Sequence, residues 1–593
     1  VRTLASAAEA SRGAAPRPPL VPVPRTTADG DPAPLPLSLA QQRMWIINRF
    51  DPESVGYNIP LTLGLTGELD TEALRGALRD VVTRQEALRT VFPDTEHGPV
   101  QRILPMGEVH LDVDVVAVDA VDAVDADGAD AQAAVTAFAS QPFDVTTEIP
   151  VRARIVRTSP TEHLLVFVAH HIASDGASLL PLVTDLMEFY TARREGRDHP
   201  ATPLEIAYVD YATWQRELLG SPDDPDSLWA KQTDYWTTAL AGIPEVGELP
   251  LDRPRTTTRT GVGAALHWEI EPDLHAELAR LARRHGVSRF MVMHAAVAVL
   301  LSRLGGGDDI VVGTPVAGRG EPALESIVGM FVNTLALRTP VEQDMTVAEV
   351  LAAVRDADLA AFAHSEIPFE SLVEALQPSR TTAHSPLFQT IVSYHSDAQP
   401  TIELPGLSVT PGAVDVEFAK FDLAFEFSER IDESGAPAGI GGYLGYATDI
   451  LDADTVASMQ RRLLAVLRGF VTADAAGTGT AETATAIGDL EILDPAETAE
   501  LYPFRAPAAA DPAVATTTLV DLMDEAVRRN PDGVAVVTST ADGVVQEVTY
   551  AELDARSSRL ARALIARGVG PEVRVAVAIR RSYESLLAEW AVT

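Results

Sequence analysis

The run Leu164–Ala169, "LLVFVA", is apolar at every position, ends in the pair His170 and His171, and passes at once through "ASDG" into a helical pattern. A strand with no polar side has to be covered on both faces, and that requirement points to a layered α/β fold. In the segment that follows, "SLLPLVTDLMEFYTARREG", Leu179, Leu182, Val183, Leu186 and Tyr190 share one helix face. Ser178 is the predicted N-cap and Gly196 the predicted stop, and Pro181 falls in the first turn, where a missing N–H is tolerated. The two histidines therefore sit at a strand end, just before a helix N-terminus.

Composition narrows the chemistry. A chain of 593 residues, 46% of them hydrophobic, can build several domains or one large bilobal unit. It has no cysteine, which removes disulfides, thiolate metal sites and cysteine nucleophiles. A formal net charge of −39 argues against a nucleic-acid partner, because phosphates call for a basic surface. Lys231 and Lys420 are the two lysines, and neither lies in a phosphate-cradling G-x-x-x-x-G-K-[ST] loop; a G-x-S-x-G elbow is also missing. No apolar run of about eighteen residues suggests a membrane span, and the N-terminus has no signal-peptide core. A cytoplasmic protein is the expectation.

Along the chain, residues 1–13 read as the end of a helix stopped by Gly13, and 14–34 as a proline-rich linker with little means of forming a core. "LSLAQQRMWIINRF" and "DTEALRGALRDVVTRQEALRTVF" read as helices, the second with Leu74, Leu78, Val81 and Val82 as its stripe and Asp70 or Thr71 as its cap. Residues 113–136, rich in Asp, Ala and Val, read as a solvated acidic loop running into a helix. "VRARIVR", "DIVVGTPV", "QTIVSYH" and "IGGYLGYA" are strand-like, and "DLHAELARLARRHGVSRFMVMHAAVAVLLSRLGG" gives a helix pair. Beyond a linker at 496–517, a new unit starts near Thr518. It offers a helix, a strand "GVAVVTS", the capping box Thr549-x-x-Glu552, a helix to Gly568, a strand "VRVAVAI" and a last helix. Both ends of the chain read as cut from a longer polypeptide.

"HHIASDG" supports three readings. As a metal site it offers His171 and Asp175 at i, i+4, but the turn between them breaks helical spacing and no third ligand is close in sequence. As a structural feature, a polar pair at a strand end satisfies backbone groups, which is the favoured reading for an arbitrary histidine pair. As a catalytic site, one histidine handles a proton near neutral pH. Side chains alternate along a strand, so at most one of the pair faces a given cleft. N–H groups at the start of the following helix could stabilise a developing oxyanion.

The wider sequence carries a resemblance. H-H-x-x-x-D-G resembles the signature of condensation domains of nonribosomal peptide synthetases, relatives of chloramphenicol acetyltransferase. "SLAQQRMW" (38–45), "RQEALRTVF" (84–92), "YVDYATWQRE" (208–217), "VGMFVNTLALR" (328–338), "HSEIPFESLVEAL" (364–376) and "SPLFQTIVSYH" (385–395) resemble the companion motifs, in order. Gln85 stands where the family usually has histidine, and Ala177 where it often has tryptophan. The resemblance covers about 35–495. Residues 1–13 resemble the last helix of a peptidyl carrier domain. Residues 518–593 resemble the truncated start of an adenylation domain, too short for its phosphate loop and catalytic lysine, so no adenylation is expected.

The resemblance implies an α/β fold of two chloramphenicol-acetyltransferase-like lobes in a V, 35–210 and 211–495, with a central tunnel. It implies amide formation between two substrates on donor and acceptor peptidyl carrier domains. The 4'-phosphopantetheine arms are carried by those domains, and no cofactor or metal is held by this chain. His171 takes the chemistry and His170 a structural hydrogen bond. Asp175 pairs with Arg319 of "PVAGR" to fix the turn, Gly176 lets the thioester arm approach, and Asn333 supports the junction of the lobes. A carrier remnant directly upstream favours an L-configured donor. The adjoining adenylation domain completes the partners, with no nucleic acid or membrane, and the unit is expected to be monomeric. An epimerisation domain or a non-catalytic carrier-docking platform of the same fold is the alternative. A heterocyclising relative would carry aspartates in place of the histidines.

Overall fold

Strand Glu162–His170 owes its unbroken apolar run to a place inside a six-stranded sheet with side chains packed on both faces. Leu165, Phe167 and Ala169 enter one core, with Leu74, Leu78, Leu182 and Leu186 of helices Thr71–Arg84 and Leu179–Arg194. Val166 and Val168 enter the other, with Phe138, Phe143, Tyr211 and Trp214. The computed structural model describes residues 17–27, 33–96, 98–117, 129–197, 202–379, 381–396, 403–412, 418–432, 434–476, 485–493, 497–499, 517–539 and 545–593. They fall into two units, Val1–Asp494 and Pro495–Thr593. The expected carrier helix 1–13 lies outside the described residues.

The first unit is mixed α/β with two large sheets. The sheet holding the histidines runs Glu403–Leu404, Leu407–Gly412, Asn58–Gly67, Glu162–His170, Val151–Arg157, Val113–Ala117; its last pair is parallel and the others antiparallel. The second sheet runs Asn333–Pro340, Asp309–Val316, Thr390–His395, Leu423–Ile431, Pro437–Ala447, Gly263–Ile270. Helices Pro272–His285, Arg289–Leu301, Val347–Phe362 and Ala453–Ala476 build the core around it.

The two lobes exchange chain. Residues 403–412, inside the span assigned to the second lobe, extend the first lobe's sheet, with Leu407 opposite Gly67 and Gly412 opposite Thr62. Val328 is buried in one core of the first lobe, and Leu324, Ile327, Met330 and Phe331 in the other. A boundary drawn from motif order alone does not detect strands that cross it.

Other elements differ from expectation for identifiable reasons. The acidic segment 113–136 begins with a strand, Val113–Ala117, because Val151–Arg157 offers it a parallel edge; residues 118–128 lie outside the described set. The described part of the proline-rich linker is docked by polar contacts and by Leu20, which packs against a first-lobe core. Arg25 sits between Asp210 (2.6 Å) and Glu86 (2.9 Å), and Trp214 donates to the carbonyl of Pro18 (2.7 Å). The window Arg289–Gly306 is apolar and long enough on composition to cross a membrane, which the sequence reading did not find, but Met291 to Leu301 are buried in the second lobe's core.

In the second unit, helix Leu519–Arg529 precedes the antiparallel hairpin Val534–Ser539 and Val545–Thr549. Helix Tyr550–Ile565 follows, capped reciprocally by Thr549 and Glu552, then helix Tyr583–Val592. "VRVAVAI" forms no strand: no neighbour among the described residues pairs with it.

Candidate active site

The strand ends at His170, whose ring turns into the protein. Its Nδ1 accepts from the Ile172 N–H at 3.1 Å, and its edge meets the Phe143 ring with centroids 5.9 Å apart. Burial, followed by the neighbouring His171, pulls its pKa down to about 3, so the ring is neutral.

His171 is the first residue of the turn and faces another way. Its backbone N–H donates to the Tyr57 carbonyl at 2.8 Å, and the Tyr57 ring stands edge-on at 6.5 Å. The imidazole is half-buried, and among the described residues its enclosed Nδ1 has no hydrogen-bond partner beyond its own backbone. Burial first, then the positive charge of Lys420, lowers its pKa to about 4 against the opposing pull of a hydrogen bond to its own backbone and of Asp175. A neutral imidazole accepts a hydrogen bond readily but is a weak acceptor of a whole proton.

Asp175 fixes the turn. One oxygen accepts from Ser178 N–H (2.9 Å), Ser178 Oγ (2.7 Å) and Arg319 Nη2 (3.0 Å). The other accepts from Arg319 Nη1 (3.0 Å), Phe331 N–H (2.9 Å) and Val332 N–H (3.1 Å). Arg319 also lies over the Phe331 ring at 4.3 Å and donates to Ser178 Oγ at 2.8 Å. The helix cap is therefore Asp175 rather than Ser178: an aspartate three residues upstream takes the Ser178 N–H. The Ser178 hydroxyl is left to bridge to Gly329, within 2.9 Å of its carbonyl and 3.1 Å of its N–H. With that donor engaged, Gly176 and Ala177, both exposed, are what the helix start has to offer a ligand.

Gly176 has neither a positive φ nor any atom within 4 Å of where a Cβ would stand, so the fold does not demand glycine there. Asn333 ties its strand to residues of its own lobe, donating to the carbonyls of Ser365 and Ile367 and accepting from Phe369 N–H. Gln85 uses both ends of its amide, donating to Asp185 (2.8 Å) and accepting from Val328 N–H (3.0 Å).

Sequence reasoning passed over Lys420, Tyr57 and Arg43. Lys420 rests its Nζ 4.7 Å from the centre of the Tyr57 ring, and Arg43 pairs with Glu370 nearby. A signal was present for Lys420: it is one of two lysines among 46 basic residues.

Residues 33–502 match the family described as Condensation domain, and 523–593 the family described as AMP-binding enzyme. The chain is 39% identical over 563 residues to the isonitrile lipopeptide synthase of Mycobacterium tuberculosis, covering 95% of this chain and 22% of that protein. It is 38% identical over 561 residues to the dimodular nonribosomal peptide synthase of Bacillus subtilis, covering 95% and 23%. Among solved structures, the teicoplanin-biosynthesis X-domain, determined in complex with OxyB, is similar at 33% identity and a TM-score of 0.71, over 81% of this chain and 100% of that one. The chain thus spans less than a quarter of the curated relatives named here.

Proposed function

This chain belongs to the condensation domain family, and on that premise we propose that it joins two carrier-bound substrates by an amide bond at His171. The amine of the acceptor aminoacyl group attacks the carbonyl carbon of the donor thioester. A C–N bond forms, the C–S bond breaks, and the amine's proton ends on the departing thiol. The observation that carries the reading is the placing of His171: a neutral imidazole on a turn that Asp175 and Arg319 hold through six hydrogen bonds to one carboxylate.

The lowered pKa of His171 favours orientation over full proton abstraction. With a conjugate acid near 4, the ring takes a hydrogen bond from the attacking amine and aims its lone pair at the carbonyl. Holding two tethered substrates together removes much of the remaining entropic barrier. The open space at Gly176 suits passage of a phosphopantetheine arm, which reaches the site as part of the carrier-bound substrate. The donor residue is L-configured, the partners are donor and acceptor carrier domains and an adjoining adenylation domain, and the unit acts as a monomer in the cytoplasm.

The test loads two carrier domains with different aminoacyl groups, adds the chain, and looks for dipeptidyl-carrier by mass spectrometry. Dipeptide in the presence of the chain alone supports the reading. Epimerised monomer would reassign the domain to epimerisation. No product, with carriers still bound, would favour a docking platform, a role suggested by the X-domain's complex with OxyB.

A further inference from the structure

Lys231 and Lys420 are placed very differently. Lys231 lies on the surface and donates to the Asp226 carbonyl at 2.6 Å. Lys420 has its backbone pinned and its side chain free. Its carbonyl accepts from Arg259 Nη1 (2.8 Å) and Ser385 Oγ (3.2 Å), and the Ala419 carbonyl accepts from Arg259 Nη2 (3.1 Å). The side chain then runs to the Tyr57 ring, which itself stands against His171.

Among the described residues, the Lys420 ammonium has no hydrogen-bond acceptor and no carboxylate. Each nearby acid is engaged elsewhere: Glu370 with Arg43, Asp175 with Arg319, Asp422 with Arg255. The other groups facing it are Tyr57, His170 and His171, which supply no negative charge while neutral. Lys420 has protein on most sides yet its side chain is exposed to solvent. With no protein acceptor among the described residues, its three N–H donors are open to an incoming oxygen.

We propose that Lys420 is a further catalytic residue of this site, donating a hydrogen bond to the carbonyl oxygen of the donor thioester as negative charge builds there. The inference rests on the amide-forming reading above. When the amine nitrogen bonds to the thioester carbon, the carbonyl electron pair moves onto oxygen. Lys420 stabilises that oxyanion without giving up its proton, and the pair returns as the C–S bond breaks. Burial, with the charge of Arg43 added, brings the Lys420 pKa down to about 8, so the ammonium is present below that pH and lost above it.

The experiment uses the full chain with two loaded carriers in single turnover from pH 6.5 to 9.5, corrected for thioester hydrolysis without the chain. We expect the wild-type rate to fall above about pH 8, K420M to lose about 100-fold with carrier KM unchanged, and K420R to keep a substantial rate while the alkaline fall disappears. K420M within two-fold of wild type would overturn the proposal. So would a K420R profile that still falls near pH 8, and this variant decides alone if K420M has lost its thermal transition. A wild-type chain that makes no amide fails earlier: it sinks the amide-forming reading and this inference with it.

Discussion

Arg319 meets Asp175 fork to fork, with Nη1 and Nη2 each 3.0 Å from a different carboxylate oxygen, across 144 residues of sequence. The pair is nearly sealed from water, with side-chain exposures of 8% and 2%. Because the same carboxylate also holds Phe331 and Val332 N–H, the turn carrying His171 and the segment contributed by the other lobe share one anchor.

Removing either partner strands a buried charge. Asp175→Asn and Arg319→Met should each cost about 3–5 kcal/mol in denaturant unfolding, and the double variant markedly less than their sum. Additive losses would show that the two charges do not depend on each other.

His171→Ala should leave the unfolding midpoint unchanged and slow single-turnover amide formation by about 10–100-fold, at the low end of what proton-handling groups contribute. A loss beyond about 10⁴-fold would mean that the ring removes the proton outright, against its lowered pKa.

His170 links folding to pH. Its folded pKa of about 3 lies below the unfolded value of 6.5, so below pH 6.5 the unfolded chain takes up a proton that the folded ring refuses. Its stabilising contribution is complete above about 6.5 and drains away toward pH 3, at up to about 1.4 kcal/mol per unit. His170→Asn, whose amide oxygen can accept from Ile172 N–H, should flatten the stability curve between pH 6.5 and 5 relative to wild type. Parallel curves would place the acid sensitivity elsewhere.

Two glycines should separate folding from passage. A Cβ on Gly329 would stand 1.9 Å from the Tyr208 ring, so Gly329→Ala should destabilise by about 1–3 kcal/mol. Gly176→Ala meets nothing and should leave stability unchanged while lowering the rate with carrier-bound donors. An unchanged rate would mean the arm does not pass Gly176.

Local pattern carried much of this fold. The doubly buried strand at 164–169, the helix after it and the capping box at Thr549 all follow from short-range periodicity and capping chemistry. The HHxxxDG turn and its arginine partner were legible through the resemblance, although spacing alone left a structural histidine pair as the favoured reading. What escaped is set by distant contacts. The Val113–Ala117 strand depends on an edge offered by residues 40 positions away, and the cap at Asp175 on groups from both lobes. Lys420 sits in no periodic pattern, and only the fold brings it to Tyr57.

The strands Glu403–Leu404 and Leu407–Gly412 matter to anyone recombining such synthetases. A splice between residues 210 and 211 would follow the lobe boundary on a linear map, inside helix Tyr208–Leu219. It would nevertheless graft onto one parent's sheet a pair of edge strands written for the other, and replace the loop residues that fill its cores. The smallest transferable cassette is the whole first unit, with junctions kept outside Val1–Asp494.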